Sequence, residues 1–141
     1  MKVLFDTNVV LDVLLQRASH VEVASKLFAL VDNGRIKGSI CATTATTIFY
    51  IAAKSFGRPR ARAQIHALLD LFDVAEVNGD VLDRALDVDF SDYEDAVLHE
   101  AARAVGATAI VTRDRDDFAH SEILALAPHE LLALVAVAKQ P

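Results

Sequence analysis

Val3-Leu4-Phe5-Asp6-Thr7-Asn8 is the stretch that decides the fold. An apolar run, then an acid, then two residues that favour turns and helix starts describe a short buried strand ending on a carboxylate. The same order recurs at Ala109-Ile110-Val111-Thr112-Arg113-Asp114. Neither apolar run alternates with polar residues, which is the pattern of strands covered on both faces. Open α/β sheets place their ligand crevice beyond the carboxyl ends of such strands, so Asp6 and Asp114 are expected at one edge.

Outward from these two strands, the chain alternates strands with helices. We expect a strand at 2 to 6, helices at 7 to 16 and 20 to 32, a strand at 36 to 41, and helices at 44 to 56 and 59 to 72. A strand at 73 to 77, helices at 80 to 88 and 92 to 105, strands at 108 to 112 and near 123 to 125, and a last helix from 128 complete the order. Gly34 and Gly106 end helices, and Gly57 with Pro59 separates the two middle ones. Strands joined by helical crossovers predict an α/β fold of three layers, a mainly parallel sheet flanked by helices. No repeat or linker divides residues 1–141, which are read as one domain.

The helix at 92 to 105 offers a third source of acids. At 100° per residue Asp92, Asp95, His99 and Arg103 share one stripe, while Val97, Leu98, Ala101, Ala104 and Val105 face the sheet. Ser91 as N-cap and Glu94 three residues on read as a capping box, which accounts for the helix start without requiring Asp95. Asp6-Thr7-Asn8 is likewise a good helix cap, and the segment 112 to 118, with Asp114 and Asp117, is by itself an exposed polar turn. Jointly the acids say more. Carboxylates crowded at one edge raise one another's pKa unless a cation neutralises them.

Composition limits the alternatives. A hydrophobic fraction of 53% in 141 residues is enough for a core without staples, and the lone Cys41 excludes an internal disulfide. No leader pattern precedes the first strand, and the apolar stretch at 131 to 138 is far short of the ~20 residues a bilayer span needs. A cytoplasmic protein with no membrane role is expected. The net charge of −6 opposes binding nucleic acid by bulk attraction, but two divalent cations in the acidic cluster would bring it to about −2. Lys54, Arg58, Arg60 and Arg62 form a basic segment that reads either as a phosphate clamp or as a solvated helix start. The nucleophile-elbow and phosphate-loop glycine patterns are missing, and the five histidines are scattered, with only His99 near the acids.

The motifs Val3-Leu4-Phe5-Asp6-Thr7-Asn8-Val9-Val10-Leu11-Asp12, Asp92-Tyr93-Glu94-Asp95-Ala96 and Ile110-Val111-Thr112-Arg113-Asp114 through Asp117-Phe118 together resemble the PIN-domain family over essentially the whole chain. That resemblance implies about five strands and a magnesium- or manganese-dependent ribonuclease site. It makes Asp6, Asp95 and Asp114 the metal-binding acids, with Asp117 or Asp92 as auxiliary and Asn8 as a polar neighbour. Many small members are toxins of toxin–antitoxin pairs, so RNA is the implied substrate, and a homodimer and a small antitoxin protein are the implied partners. One departure matters. Where the family often supplies a glutamate this chain has Thr47, and no Asp or Glu occurs between Asp32 and Asp70. A neutral hydroxyl there weakens cation affinity and favours the rival reading, a catalytically weak PIN fold that binds RNA or protein.

Oxygen ligands suit Mg2+ or Mn2+ better than zinc. On that chemistry Asp6, Asp95 and Asp114 hold the cation and Asp117 orients a water. Arg113 and Arg115 are candidates for contact with the phosphate, or for ion pairs with Asp116.

Overall fold

The computed structural model describes residues 1–138. Five strands, β1 (Lys2–Phe5), β2 (Lys37–Cys41), β3 (Asp73–Ala75), β4 (Ala109–Val111) and β5 (Leu124–Leu126), form one sheet in the order β3-β2-β1-β4-β5. Every pairing between them is parallel. Seven helices connect and follow them: α1 (Thr7–Leu14), α2 (Val21–Asp32), α3 (Ala42–Phe56), α4 (Arg58–Leu71), α5 (Gly79–Ala85), α6 (Tyr93–Ala104) and α7 (Pro128–Ala138). The α/β architecture expected from the sequence is therefore present, with β1 at its centre. No described helix is long and apolar enough to cross a membrane.

The continuous apolar strands are explained by two cores. Val3, Phe5, Ile40 and Val111 face the larger one, against Val9, Leu27, Ile48, Leu68 and Leu131, where Phe5, Phe28 and Phe72 meet edge to face. Leu4, Cys41 and Ile110 face the other, against Val81, Val97, Ala101 and Phe118. Successive residues of a strand point to opposite faces, so β1 from Val3 onward and β4, buried on both sides, stay apolar until they end. They end at Asp6 and Thr112, side by side, because Phe5 pairs with Val111 and the Asp6 amide donates to the Val111 carbonyl at 2.9 Å.

Two expectations are corrected. Asp92, rather than Ser91, caps α6, its carboxylate accepting from the amides of Glu94 at 2.8 Å and Asp95 at 3.2 Å. Nor does α6 show one polar stripe, since Ala96 through Ala102 are all buried, His99 and Glu100 among them. The chain between β4 and β5, with its 3-10 turn Arg115–Phe118, covers the end of the stripe that carries His99, and the Glu122 amide donates to His99 Nε2 at 3.2 Å.

Candidate functional site

Asp6 leaves the end of β1 in extended conformation and caps α1, accepting from the Thr7 amide at 2.7 Å. Its second oxygen accepts from the Thr112 hydroxyl at 2.7 Å and from the Asn8 amide group at 3.1 Å. The same Asn8 nitrogen donates to Asp114 at 3.0 Å, and the Asn8 oxygen accepts from the Arg113 amide at 3.3 Å. The Asp114 amide in turn donates to Thr112 Oγ1 at 3.0 Å. Asn8 and Thr112 thus tie the carboxyl end of β1 to that of β4. Thr112 was absent from the residues singled out in the sequence; its signal is a hydroxyl that follows an apolar strand at the register position beside Asp6.

Asp95, one turn into α6, completes the arrangement. Asp6, Asn8, Arg17, Asp92, Asp95 and Asp114 line a cavity of about 270 Å³. Asp6 is only 7% exposed. Burial pushes its carboxyl above the ordinary carboxylate range against the pull of Thr112 and Thr7, and Asp114 and Asp117 push it further. Asp95 is pushed up to about 7, by burial first and then by Asp6, Asp92, Asp117 and Glu94. Acids from three separate elements therefore act on one another across a single cavity, and opposite charge placed there would relieve both burial and repulsion.

Among the described residues no three His, Cys, Asp or Glu side chains are gathered to hold a metal ion. The Asn8 amide bridges Asp6 and Asp114 in this arrangement. The donor set is nonetheless of the right chemistry for a hard divalent cation, being all oxygen and carrying carboxylates that are costly to ionise together.

The remaining residues singled out in the sequence fall elsewhere. Asp117 influences Asp6 and Asp95 electrostatically from an exposed position on the 3-10 turn. Thr47 is half-buried in α3; the hydroxyl of that helix that reaches the site is Thr44, 2.9 Å from Thr7 Oγ1. Lys54 lies over the Tyr50 ring, ten residues and so about 15 Å of helix beyond Thr44, and Arg58 is exposed at the start of α4. Neither is brought to the acids. Arg113 and Arg115 do not pair with Asp116: Arg115 binds Glu130 at 3.0 Å, and Arg113 forks onto Asp12 at 2.7 and 3.2 Å. Asp12, fully buried, also accepts from Arg17 at 3.2 Å. That junction was missed; a lone acid in the otherwise apolar turn of α1 was its trace. His99 turns away from the acids, with Nδ1 2.7 Å from Glu100 and its ring 5.0 Å from that of Phe90.

A profile of the PIN domain matches residues 2–116. No curated protein matches this chain. Among solved structures it is similar to VapBC from Salmonella typhimurium bound to DNA, at 17% identity and TM-score 0.71 over 91% of this chain and 98% of that one. VapBC2 from Rickettsia felis, bound to a promoter DNA fragment, matches at 12% identity and TM-score 0.70 over 90% and 98%. A toxin–antitoxin complex from Klebsiella pneumoniae matches at 23% identity and TM-score 0.68 over 91% and 98%.

Proposed function

The chain belongs to the PIN-domain family, and from that premise we propose that it is a Mg2+- or Mn2+-dependent endoribonuclease, the toxin of a toxin–antitoxin pair acting in the cytoplasm. The observation that carries this reading is the convergence of Asp6, Asp95 and Asp114 from β1, α6 and the end of β4 on one cavity. Asp6, Asp95 and Asp114 would hold the cation, with Asp92 and Asn8 beside them. A bound divalent cation supplies positive charge to the phosphate and acidifies the attacking water.

The chain's own residues then divide the work. Thr112 and the Thr7 amide hold the Asp6 carboxylate in one orientation, and Asn8 does the same for Asp114. Asp117, exposed beside them, is suited to orient a water. Arg113 keeps guanidinium donors for the RNA backbone after binding Asp12, and Arg115, Lys54 and Arg58 are suited to more distant phosphates. An antitoxin partner is supported by the toxin–antitoxin complex from Klebsiella pneumoniae, whose fold this chain shares. A homodimer is proposed on the family resemblance alone.

The test is cleavage of a defined RNA with Mg2+ or Mn2+. Wild-type protein should cut it, EDTA should stop it, and Asp6→Asn or Asp95→Asn should each reduce it to background while retaining the fold by circular dichroism. Unchanged cleavage in both variants would remove the assignment. The second reading, a catalytically weak module that binds RNA or protein, is favoured by Thr47. It predicts RNA binding without cleavage.

A further inference from the structure

A second cavity, of about 310 Å³, is lined by Ser19, His20, Val23, Arg113, Pro128 and His129 and by Ala127. Its chemistry is the reverse of the acidic one's. It has an arginine and two histidines and no acid, whereas the first is lined by Asp6, Asp92, Glu94, Asp95 and Asp114. The two are joined through Asp12. This one buried carboxylate holds Arg17, which lines the acidic cavity, and Arg113, which lines the other.

The hydrogen-bond inventory shows what the second cavity can take. A guanidinium has five N–H donors. Arg113 gives Nε–H and one Nη2–H to Asp12, leaving three on its outer edge. Asp12 therefore fixes the plane of the group and leaves its remaining donors for another acceptor. His20 and His129 add imidazole donors, and Ser19 can donate a hydroxyl. Such a set matches the several oxygens of a phosphate, which forked guanidinium donors recognise by shape as well as charge. Covalent continuity gives the location meaning, since Arg113 is the residue before Asp114. The guanidinium that would hold the phosphate thus belongs to the residue next to one of the acids that line the first cavity.

Resting on the ribonuclease reading, we infer that this cavity is a nucleotide subsite: Arg113, His20 and His129 bind the phosphate of a nucleotide flanking the scissile bond. Asp12 is the positioning residue that aligns Arg113. The subsite answers the difficulty posed by the acidic net charge, because it offers RNA a guanidinium and two imidazoles in a cavity that no acid lines.

The test uses metal-free full-length protein with adenosine 5′-monophosphate as probe and adenosine as control, read by the imidazole proton–carbon signals of His20 and His129. The monophosphate should shift both rings saturably, and adenosine should shift neither. His129→Glu, on an exposed side chain, should raise the Kd for the monophosphate by about tenfold or more. The same variant should raise KM for RNA with kcat nearly unchanged, and His20→Gln should do so more mildly. No shift, or equal shifts with adenosine, in protein that still cleaves RNA would overturn the subsite and leave the activity standing. Saturable binding of the monophosphate in protein that cleaves no RNA would keep the phosphate cavity and defeat the ribonuclease reading. Displacement of nothing by the monophosphate but of both ring signals by an acidic peptide would make the cavity a protein-docking site and overturn the inference.

Discussion

Asp95 and Asp6 carry the clearest pH signature in the molecule. Both carboxyls are raised in the folded protein, Asp95 to about 7. A folded state that holds a proton more tightly than the unfolded chain is favoured while that proton is on. Without metal, stability should therefore fall as pH rises from the unfolded carboxyl value of about 4 towards 7, and level off above it. Urea denaturation in EDTA across this range measures the slope, and Asp95→Asn should flatten it. Asp12 is a buried acid held in ion pairs with Arg17 and Arg113, whose side chains are 36% and 27% exposed. Removing one member of a buried ion pair costs ~3–5 kcal/mol, and the partial exposure of both arginines lowers the expectation for Asp12→Asn to about 2–3 kcal/mol. A urea midpoint that does not move would show that the two guanidinium groups find other partners.

At the scale of elements, α6 presents Asp95 only because its first turn is anchored. Asp92 satisfies two of the amides that the helix start leaves without partners, so Asp92→Ala should destabilise by about 1 kcal/mol and Asp92→Ser should recover most of it. Serine restores the cap but no carboxylate, so thermal melts report the first role and RNA cleavage the second. Strand β2 depends on a missing side chain. A Cβ on Gly38 would stand 2.8 Å from Val31 Cγ2 and 3.0 Å from the Phe72 ring, both in the larger core. Gly38→Ala should cost about 1–3 kcal/mol through overpacking, measured by equilibrium unfolding. The burial of His99 and Glu100 on α6 was illegible in the sequence, whereas that of Val97, Leu98 and Ala101 was foreseen. Glu100 is tolerated inside because His99, Arg103 and Arg84 reach it at 2.7, 3.8 and 3.9 Å, the last of them from another helix, α5. Periodicity along one helix cannot register such partners.

For the whole molecule, what the sequence disclosed was the set of places where apolar runs stop. Asp6 and Asp114 were legible because β1 from Val3 onward and β4, buried on both faces, stay apolar until they end, and parallel topology aligns those ends. The order of strands and helices followed from the same patterning together with the glycine stops at Gly34 and Gly106, both of which adopt positive φ. What stayed hidden were pairings across long separations: Arg113 to Asp12 over 101 residues, Asn8 to Asp114 over 106, and the Glu122 amide to His99. These decide whether a charged residue faces solvent, a ligand or a buried partner, and no local window contains both ends of them. The basic segment shows the converse. Lys54 and Arg58 read as a candidate phosphate clamp because they stand in a basic run without an acidic neighbour, but they lie at the end of α3 and the start of α4, far along the chain from Thr44.

The central strand precedes both of its neighbours along the chain and meets one of them only when residues 109 to 111 arrive. Until then Asp6 lacks Thr112 and the carbonyl that fixes its amide, and pairing over so long a chain segment is a slow step of folding. An unfinished polypeptide carries Asp6 and even Asp95 but cannot assemble the acidic cavity. On the nuclease reading, synthesis itself imposes a delay: the growing chain cannot cut RNA until residues 109 to 114 have been made and have joined the first strand.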